Sequence, residues 1–262
     1  MMDMIKEAVD TARVAQRNYN LDKEIPMKDL DTLVYAARNG PKKAMENHFA
    51  LHVYTDKDLI KQIYDETKMF LVPPDECKTF NDLPDDMFEM RDGRPWQNDD
   101  KYAVKNSQVM ANAIFVFSKV ENDGESRGGT HQMAHEAEPG SALTTYEEQK
   151  AFSVGIAVGN LTLSAAMLGY KCGICSAFSQ DNVGDILIKQ KTRAGEPNPM
   201  EPKLIIGIGY ENEGVSRRQH HETVNSELPY LKPQNGRNPD EKFMFPKLTG
   251  ETDLYINGEK QK

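Results

Sequence analysis

Two cysteines, Cys172 and Cys175, stand in the sequence Cys-Gly-Ile-Cys, a spacing that dithiol redox proteins use. In such proteins the first cysteine lies at the N-terminus of a helix, whose dipole lowers the pKa of the thiol. Here the pair follows a Leu-Gly stop at the end of an apolar helix, and the next helix is expected only from about Asp181. We therefore expect partly buried thiols in a loop, without dithiol chemistry.

The histidines are the second group of residues that could do chemistry. All six occur in pairs, namely His48/His52, His131/His135 and His220/His221. The spacing of His131 and His135 would place two imidazoles on one helix face, as in zinc proteases, with Gln132 where the general base would stand. No third ligand is indicated, and His48 and His52 would be about 13 Å apart on a strand. We predict no metal site.

The arginines form the third group. Arg13 and Arg17 are four residues apart on an expected first helix, where they would lie one above the other, and Arg217 and Arg218 follow the last strand. Each pair alone is typical of a solvated surface. The chain carries a net charge of −9, so a phosphate site would need these basic side chains to converge. The sequence spacing alone does not establish that convergence.

The composition limits the classes of function. The acidic charge and a pI of about 5.3 argue against binding to a nucleic-acid backbone. Three cysteines are too few for a secreted disulfide scaffold, and the N-terminal segment lacks the basic-then-apolar pattern of a signal peptide. We therefore expect a cytoplasmic protein that binds neither nucleic acid nor membrane.

One stretch without charged residues, from Ala151 to Tyr170, is long enough to span a bilayer. It contains four polar residues and follows a soluble-type helix start, so we expect a core helix rather than a membrane span. Gly155 and Gly159 leave a smooth strip on which another helix could pack closely. This strip suggests a subunit interface.

The remaining patterns set the fold class. Helices are expected over 4–17, 27–38, from a cap at Asp56 to about 70, and from about 181; strands are expected over 48–55, 112–120 and 202–210. Two polar excursions, 72–105 and 121–143, are typical of binding loops. Because helices dominate and the strands are far apart in sequence, the predicted class is α+β.

Four ordered blocks, RVAQRNY, AARNGPKKAMENHF, VGNLTLSAAMLGYKCGICSAFS and IGIGYENEGVSRR, belong to a pattern that covers residues 4–218, and together they resemble the FMN-dependent nitroreductase family. The family motif Arg-x-Ser-x-Arg/Lys-x-Phe is matched by RVAQRNY, with Arg13, Ala15, Arg17 and Tyr19. The second block, AARNGPKKAMENHF, keeps the alanines, Pro41 and an amide at Asn47. The third, VGNLTLSAAMLGYKCGICSAFS, matches a helix and the loop beside the flavin ring, and the fourth is IGIGYENEGVSRR.

The resemblance implies an architecture. It implies a central, mostly antiparallel sheet flanked by helices in an interlocked homodimer. Residues 1–218 would form the FMN domain, with 72–105 and 121–143 as substrate lids. Residues 219–262 would form an extension that wraps over the body or the partner subunit.

The resemblance also implies the cofactor and its contacts. FMN would be held by the positions that match the motifs, namely Arg13, Ala15, Arg17, Pro41, Lys42, Lys43, Asn47, Ile174, Ser176, Ala177, Arg217 and Arg218. The four arginines would bind the phosphate or the N1–O2 side of the ring, and the backbone N–H of Ser176 or Ala177 would reach flavin N5. No catalytic side chain is implied. Ala15 replaces the usual Ser, Ser176 replaces a frequent Glu, and Lys42 and Lys43 replace small residues.

The implied activity is a reaction in two halves. NAD(P)H would reduce the flavin and leave, and a small conjugated or nitroaromatic-type acceptor would then enter the same position. Two alternatives remain open. One is a flavoprotein of the same fold with different chemistry, namely dehalogenation, dehydrogenation or flavin breakdown. The other is a protein without enzymatic activity that binds flavin or a partner.

Overall fold

A computed structural model describes residues 2–41, 48–67, 88–91, 94–97, 105–119, 146–189, 201–214, 255–256 and 259–260. Its helices are α1 (Met2–Ala12), α2 (Met27–Arg38), α3 (Lys57–Asp65), α4 (Tyr146–Met167) and α5 (Gln180–Ile188). Its strands are β1 (Ala50–Tyr54), β2 (Phe88–Arg91), β3 (Arg94–Gln97), β4 (Ala113–Ser118), β5 (Lys171–Cys175), β6 (Pro202–Gly209), β7 (Tyr255–Ile256) and β8 (Glu259–Lys260).

Four strands form the central sheet, in the order β1-β4-β6-β5, and every pairing in it is antiparallel. The strands β2 and β3 pair with each other, as do β7 and β8. The α+β class and the antiparallel sheet expected from the sequence are confirmed. In this order β5 is an edge strand of the four-stranded sheet.

The sheet separates two hydrophobic cores, because successive side chains of a strand point to opposite faces. On one face, Phe115, Phe117, Ile206 and Ile208 pack with Leu33 of α2 and Leu161 of α4. On the other face, Ile114, Val116 and Ile205 pack with Ile60 and Ile63 of α3 and Leu187 of α5. The two helix layers thereby hold both faces of the sheet away from water.

The first helix ends earlier than its sequence pattern predicts. It was expected to reach Arg17, but α1 ends at Ala12. Beyond it, the Gln16 N–H donates to the Cys172 carbonyl at 2.8 Å, so a strand supplies the backbone partner that another helical turn would supply. The expectation that Arg13 and Arg17 lie one above the other on a helix is therefore wrong.

The other helices follow their local signals. Helix α2 has the expected bounds. The Asp56 carboxylate caps α3 by accepting the Leu59 N–H at 2.8 Å, as expected, but α3 ends at Asp65 rather than near residue 70. Thr67 instead forms an isolated antiparallel bridge with Phe178. Gly169, at φ +88°, ends the turn after α4, and the Tyr170 N–H donates to the Ala165 carbonyl at 2.8 Å.

Helix α4 is buried on one side and exposed on the other. It packs on α1 and α2, yet Phe152 and Ile156 are 54% and 41% exposed. Gly155 and Gly159 are also exposed, and a Cβ built on either meets nothing within 4 Å in the described part of the subunit. By length and composition the segment Lys150–Met167 passes as a membrane span, a criterion that core helices of soluble proteins also meet.

Candidate functional site

The segment after α1 lies against the edge strand β5. Besides the hydrogen bond from Gln16 N–H to Cys172 O, the Gln16 carbonyl lies beside Gly173. A Cβ built on Gly173 would be 2.6 Å from the Gln16 oxygen, 2.7 Å from Gln108 Cβ and 2.9 Å from the Tyr19 hydroxyl. Glycine at this position therefore allows the Arg13–Arg17 segment to approach the strand.

The chain that follows β6 runs antiparallel to the same segment. Tyr19 forms a bridge with Glu211, the Asn20 N–H donates to the Tyr210 carbonyl at 3.0 Å, and Asn212 Nδ2 donates to Asn18 Oδ1 at 3.0 Å. The hydroxyl of Tyr19, which is 2% exposed, donates to the Gly207 carbonyl. Burial raises the pKa of Tyr19 well above its usual value, so this hydroxyl remains a donor.

The side chain of Asn112 forms hydrogen bonds to both the segment after α1 and the chain that follows β6. Its Nδ2 donates to the carbonyls of Asn20 at 2.8 Å and Lys23 at 2.6 Å, while its Oδ1 accepts the Tyr210 N–H at 3.0 Å. One amide thus satisfies backbone groups from both segments. The segment that carries Arg17 and the segment that leads toward Arg217 are joined at this point.

The predicted arginines are described only in part. Arg13 is exposed, and its Nε lies 3.0 Å from Asp10 Oδ1 in a pair on the surface. Arg17 and Ala15 are half-buried beside Gln16. Arg217 and Arg218 lie outside the described residues; Gly214, the last described residue before them, is three positions from Arg217. Their convergence with Arg13 and Arg17 stays a prediction.

The outer edge of β5 presents backbone groups to solvent. Because the Cys172 carbonyl points away from β6 toward Gln16, the alternation of an antiparallel ladder makes the backbone groups of Ile174 point the same way, and Ser176 follows directly after the end of the strand. The side chains of Ile174, Ser176 and Ala177 are all exposed. Within the described ranges, no residue accepts a hydrogen bond from the N–H of Ser176 or Ala177.

Both cysteines lie on strand β5, so the expectation of loop positions is wrong. The segment pairs with β6 through Cys172↔Ile208 and Cys175↔Ile205. Because the two residues are three apart on a strand, Cys172 belongs to one core and Cys175 to the other. Burial raises their thiol pKa values to about 12 and about 11. The two sulfurs face opposite sides of the sheet and do not form a dithiol pair.

The remaining predicted FMN contacts lie either apart from the segments of Arg17 and Ser176 or outside the described residues. Pro41 is exposed just after α2, where Gly40 lies close to Asn160 of α4. No described hydrogen bond or ion pair connects Pro41 with the segments of Arg17 and Ser176. The predicted contacts at Lys42, Lys43 and Asn47 lie outside the described residues.

Two buried amides in the segment RVAQRNY, the arginine motif, could not be predicted from the sequence. Gln16 and Asn18 are 0% and 1% exposed, and Gln16 Nε2 donates to the Asn18 carbonyl. Gln16 Oε1 and Asn18 Nδ2 have no hydrogen-bond partner among the described residues. Buried polar atoms usually have partners, so an acceptor and a donor left over here fit a site for a polar ligand. They occupy variable positions of the motif, so the motif did not identify them.

The histidines described by the structure do not form a metal centre. Among the described residues, no group of three His, Cys, Asp or Glu side chains is arranged to hold a metal ion. His52 Nε2 contacts the buried Ser118 hydroxyl at 3.0 Å, and burial lowers the pKa of His52. The pairs His131/His135 and His220/His221 lie outside the described ranges.

Comparison with known proteins gives a family and a fold. The model of the nitroreductase family matches residues 11–210. Similar solved structures include NfrA1 nitroreductase from B. subtilis, with 11% identity over 88% of this chain and 76% of that chain and a TM-score of 0.51. A nitroreductase with bound FMN from Bacteroides fragilis has 15% identity over 80% and 90% of the two chains and a TM-score of 0.47. A search of curated protein sequences found no significant match.

Proposed function

Because the chain belongs to the nitroreductase family, we propose that it is an FMN enzyme in which NAD(P)H reduces a small conjugated or nitroaromatic-type acceptor. The family match confirms the family, the fold and the class of NAD(P)H-dependent oxidoreductase expected from the sequence. FMN is the cofactor of this family, as the motifs implied. The acceptor and the choice between NADH and NADPH belong to the proposal.

The observation that carries the proposal is the contact between the arginine motif and β5. The 2.8 Å hydrogen bond from Gln16 N–H to Cys172 O joins two blocks that are far apart in sequence. One block carries Arg13 and Arg17, and the other ends in the exposed Ile174, Ser176 and Ala177. A cofactor with an anionic tail and a polar ring edge would fit these two adjacent segments, with its tail at the arginines and its ring edge at the backbone groups after β5.

In the proposed site, Arg13 and Arg17 bind the phosphate of FMN. An acidic chain needs several charge-assisted donors concentrated in one place to hold a dianion. The exposed pair between Arg13 and Asp10 costs little to break, because surface ion pairs contribute about 0–1 kcal/mol. Four further positions would complete the basic side of the site: Lys42, Lys43, Arg217 and Arg218. Pro41 and Asn47 are also proposed to contact the cofactor.

The ring edge is proposed to lie along the outer edge of β5. Bound FMN supplies hydride acceptance and donation at its N5 atom. The N–H groups of Ser176 and Ala177 would donate to the polar edge of the ring, and the exposed Ile174 would add apolar contact. Ala15 supplies no hydroxyl where the family motif has Ser, so the backbone has a larger share of the polar contacts here. No side-chain acid or base is required for hydride transfer at N5.

The exposed side of α4 supports a homodimer. Phe152 and Ile156 would be costly to leave in water, and Gly155 and Gly159 leave room for a second backbone. A second copy of the chain would cover this face and complete the cofactor site. The proposal keeps 72–105 and 121–143 as lids, 219–262 as a wrapping extension, and the cytoplasm as the compartment.

An anaerobic spectral titration tests the function. The FMN-loaded protein is titrated with NADH and with NADPH, and nitroaromatic and conjugated carbonyl acceptors are then added. The proposal expects at least one nicotinamide to bleach the flavin band and at least one acceptor to restore it. An FMN-loaded protein that neither nicotinamide bleaches would favour the alternative chemistry or a flavin-binding role. A protein that binds no FMN would contradict the proposal.

A further inference from the structure

The side chain of Asn106 is held in one orientation next to Cys175. Asn106 is buried, and its Oδ1 accepts the Gln108 N–H at 3.1 Å, so Nδ2 is the end that faces the sulfur. Asn106 Nδ2 donates to Cys175 Sγ at 3.1 Å. The Asn106 backbone N–H donates to the Thr67 hydroxyl at 2.7 Å. Each of these contacts restrains the amide.

The thiol of Cys175 connects the restrained Asn106 side chain to the loop that follows β5. Its sulfur accepts from Asn106 and donates to the Ala177 carbonyl at 3.6 Å. Only a protonated thiol can donate, and burial raises the pKa of Cys175 to about 11, so the S–H is present at neutral pH. The contact from residue 175 to the carbonyl two residues later closes a small ring with Ser176 inside it.

A second set of hydrogen bonds fixes the far side of the loop. Thr67 bridges Phe178, and the Ser179 N–H donates to the Glu66 carbonyl at 3.0 Å. Ser176 and Ala177 therefore lie between a strand, a thiol contact and a backbone bridge. Their N–H directions depend on how firmly the Ala177 carbonyl is held.

We propose that Asn106 and Cys175 are positioning residues, whose linked hydrogen bonds hold the Ser176 and Ala177 N–H groups in the direction of the FMN ring edge. This inference rests on the proposed function, because the ring edge is placed there by that proposal. Asn106 and Cys175 act through the backbone of the loop and do not touch the reacting atoms.

The chain provides a matched control in Cys172. It lies on the same strand and is 3% exposed, compared with 1% for Cys175. Its sulfur approaches the Thr162 carbonyl at 3.9 Å, on the other face of the sheet. Cys172→Ala therefore removes a buried thiol of equal size without touching the contact to Ala177. A general loss of packing would change amide exchange and FMN affinity in both variants, whereas loss of the contact to Ala177 would change them only in Cys175→Ala.

The first measurement uses the FMN-free protein. Hydrogen exchange of the Ser179 amide reports local opening of the loop, because that N–H is bonded to Glu66. We expect Cys175→Ala to speed this exchange about tenfold, the equivalent of one hydrogen bond. Cys172→Ala should leave the Ser179 rate within about twofold of wild type, and Cys175→Ser, which keeps a donor, should lie between the two. Equal rates in Cys172→Ala and Cys175→Ala would overturn the inference.

The second measurement is FMN affinity in both redox states. Flavin N5 accepts a hydrogen bond when oxidised and carries a proton when reduced, so misdirected N–H groups should weaken oxidised FMN more. We expect the Kd for oxidised FMN to rise about tenfold in Cys175→Ala and in Asn106→Asp, with no further loss in the double variant. Faster Ser179 exchange with unchanged affinity for oxidised FMN would also overturn the inference.

The two proposals fail in different ways. If the wild-type protein binds no FMN, the proposed function fails and the positioning of a ring edge fails with it, whereas the exchange data still report whether the thiol contact restrains the loop. If the wild-type protein binds FMN and the cysteine variants behave alike, the positioning inference fails and the proposed function stands.

Discussion

The substitution Gly173→Ala tests whether the arginine motif must lie against β5. The added methyl group would be 2.6 Å from the Gln16 carbonyl and 2.7 Å from Gln108 Cβ. Both are closer than ordinary van der Waals contact, and the Gln16 oxygen belongs to the backbone and cannot rotate away. The Gln16 segment must therefore move off the strand, which strains its hydrogen bond to Cys172.

The change in the free energy of unfolding combines two destabilising contributions and one stabilising contribution. Overpacking a tight contact costs about 1–3 kcal/mol, and losing the Gln16 hydrogen bond costs about 1 kcal/mol. Replacing glycine restricts the unfolded chain and returns about 0.4–1 kcal/mol. We expect a net loss of about 1–3.5 kcal/mol in the free energy of unfolding, and an FMN affinity that falls by about tenfold or more.

The assay is denaturant unfolding of the FMN-free protein, followed by FMN titration. Arg38→Ala, at an exposed position of α2 outside the proposed site, is the control; it should change the free energy of unfolding by no more than about 0.5 kcal/mol and leave FMN binding unchanged. If Gly173→Ala unfolds at the same denaturant concentration as wild type and binds FMN equally well, the proposed contact between the motif and the strand does not hold the site together.

Three further predictions concern charge, pH and assembly. Arg13→Ala should weaken FMN binding about tenfold with stability unchanged within about 0.5 kcal/mol. Arg38→Ala, at an exposed position of α2, should leave binding unchanged; a fluorescence titration at several salt concentrations measures both. The raised pKa values of Cys172 and Cys175 favour the folded state, and this contribution is fully present below pH 9 and is lost as pH rises through about 11 to 12. The free energy of unfolding should therefore fall over this range, and the fall should be smaller in the two alanine variants. Gly159→Leu should raise the dimer dissociation constant in analytical ultracentrifugation without unfolding the subunit; an unchanged constant would place the subunit contact elsewhere.

The regular elements could be predicted where one local signal dominates. The bounds of α2 follow from its helical periodicity, and five of the six buried residues of β4, Ala113 to Phe117, form a continuous apolar run. The end of α1 could not be predicted, because the partner that stops it, the Cys172 carbonyl, is distant in sequence. Strand β5 could not be predicted, because Cys172 and Cys175 stand between a Leu-Gly helix stop and the next helix start, a position typical of a loop; pairing with the distant β6 makes the segment a strand.

The site could be predicted only as far as its motifs reach. The motifs identified Arg17 and Ser176, and the structure brings the segment that carries Arg17 to the strand that leads to Ser176. Gln16 and Asn106 could not be found in this way. Their roles depend on distances to Cys172 and Cys175, which are more than sixty residues away in sequence.

The proposed phosphate site is tested most directly by an equilibrium titration of purified wild-type protein with FMN, followed by flavin fluorescence at increasing salt. We expect saturable binding of one FMN per subunit, with an affinity that falls as salt screens the arginines. Absence of saturable binding at low salt, or an affinity indifferent to salt, would contradict a phosphate held by basic side chains beside β5.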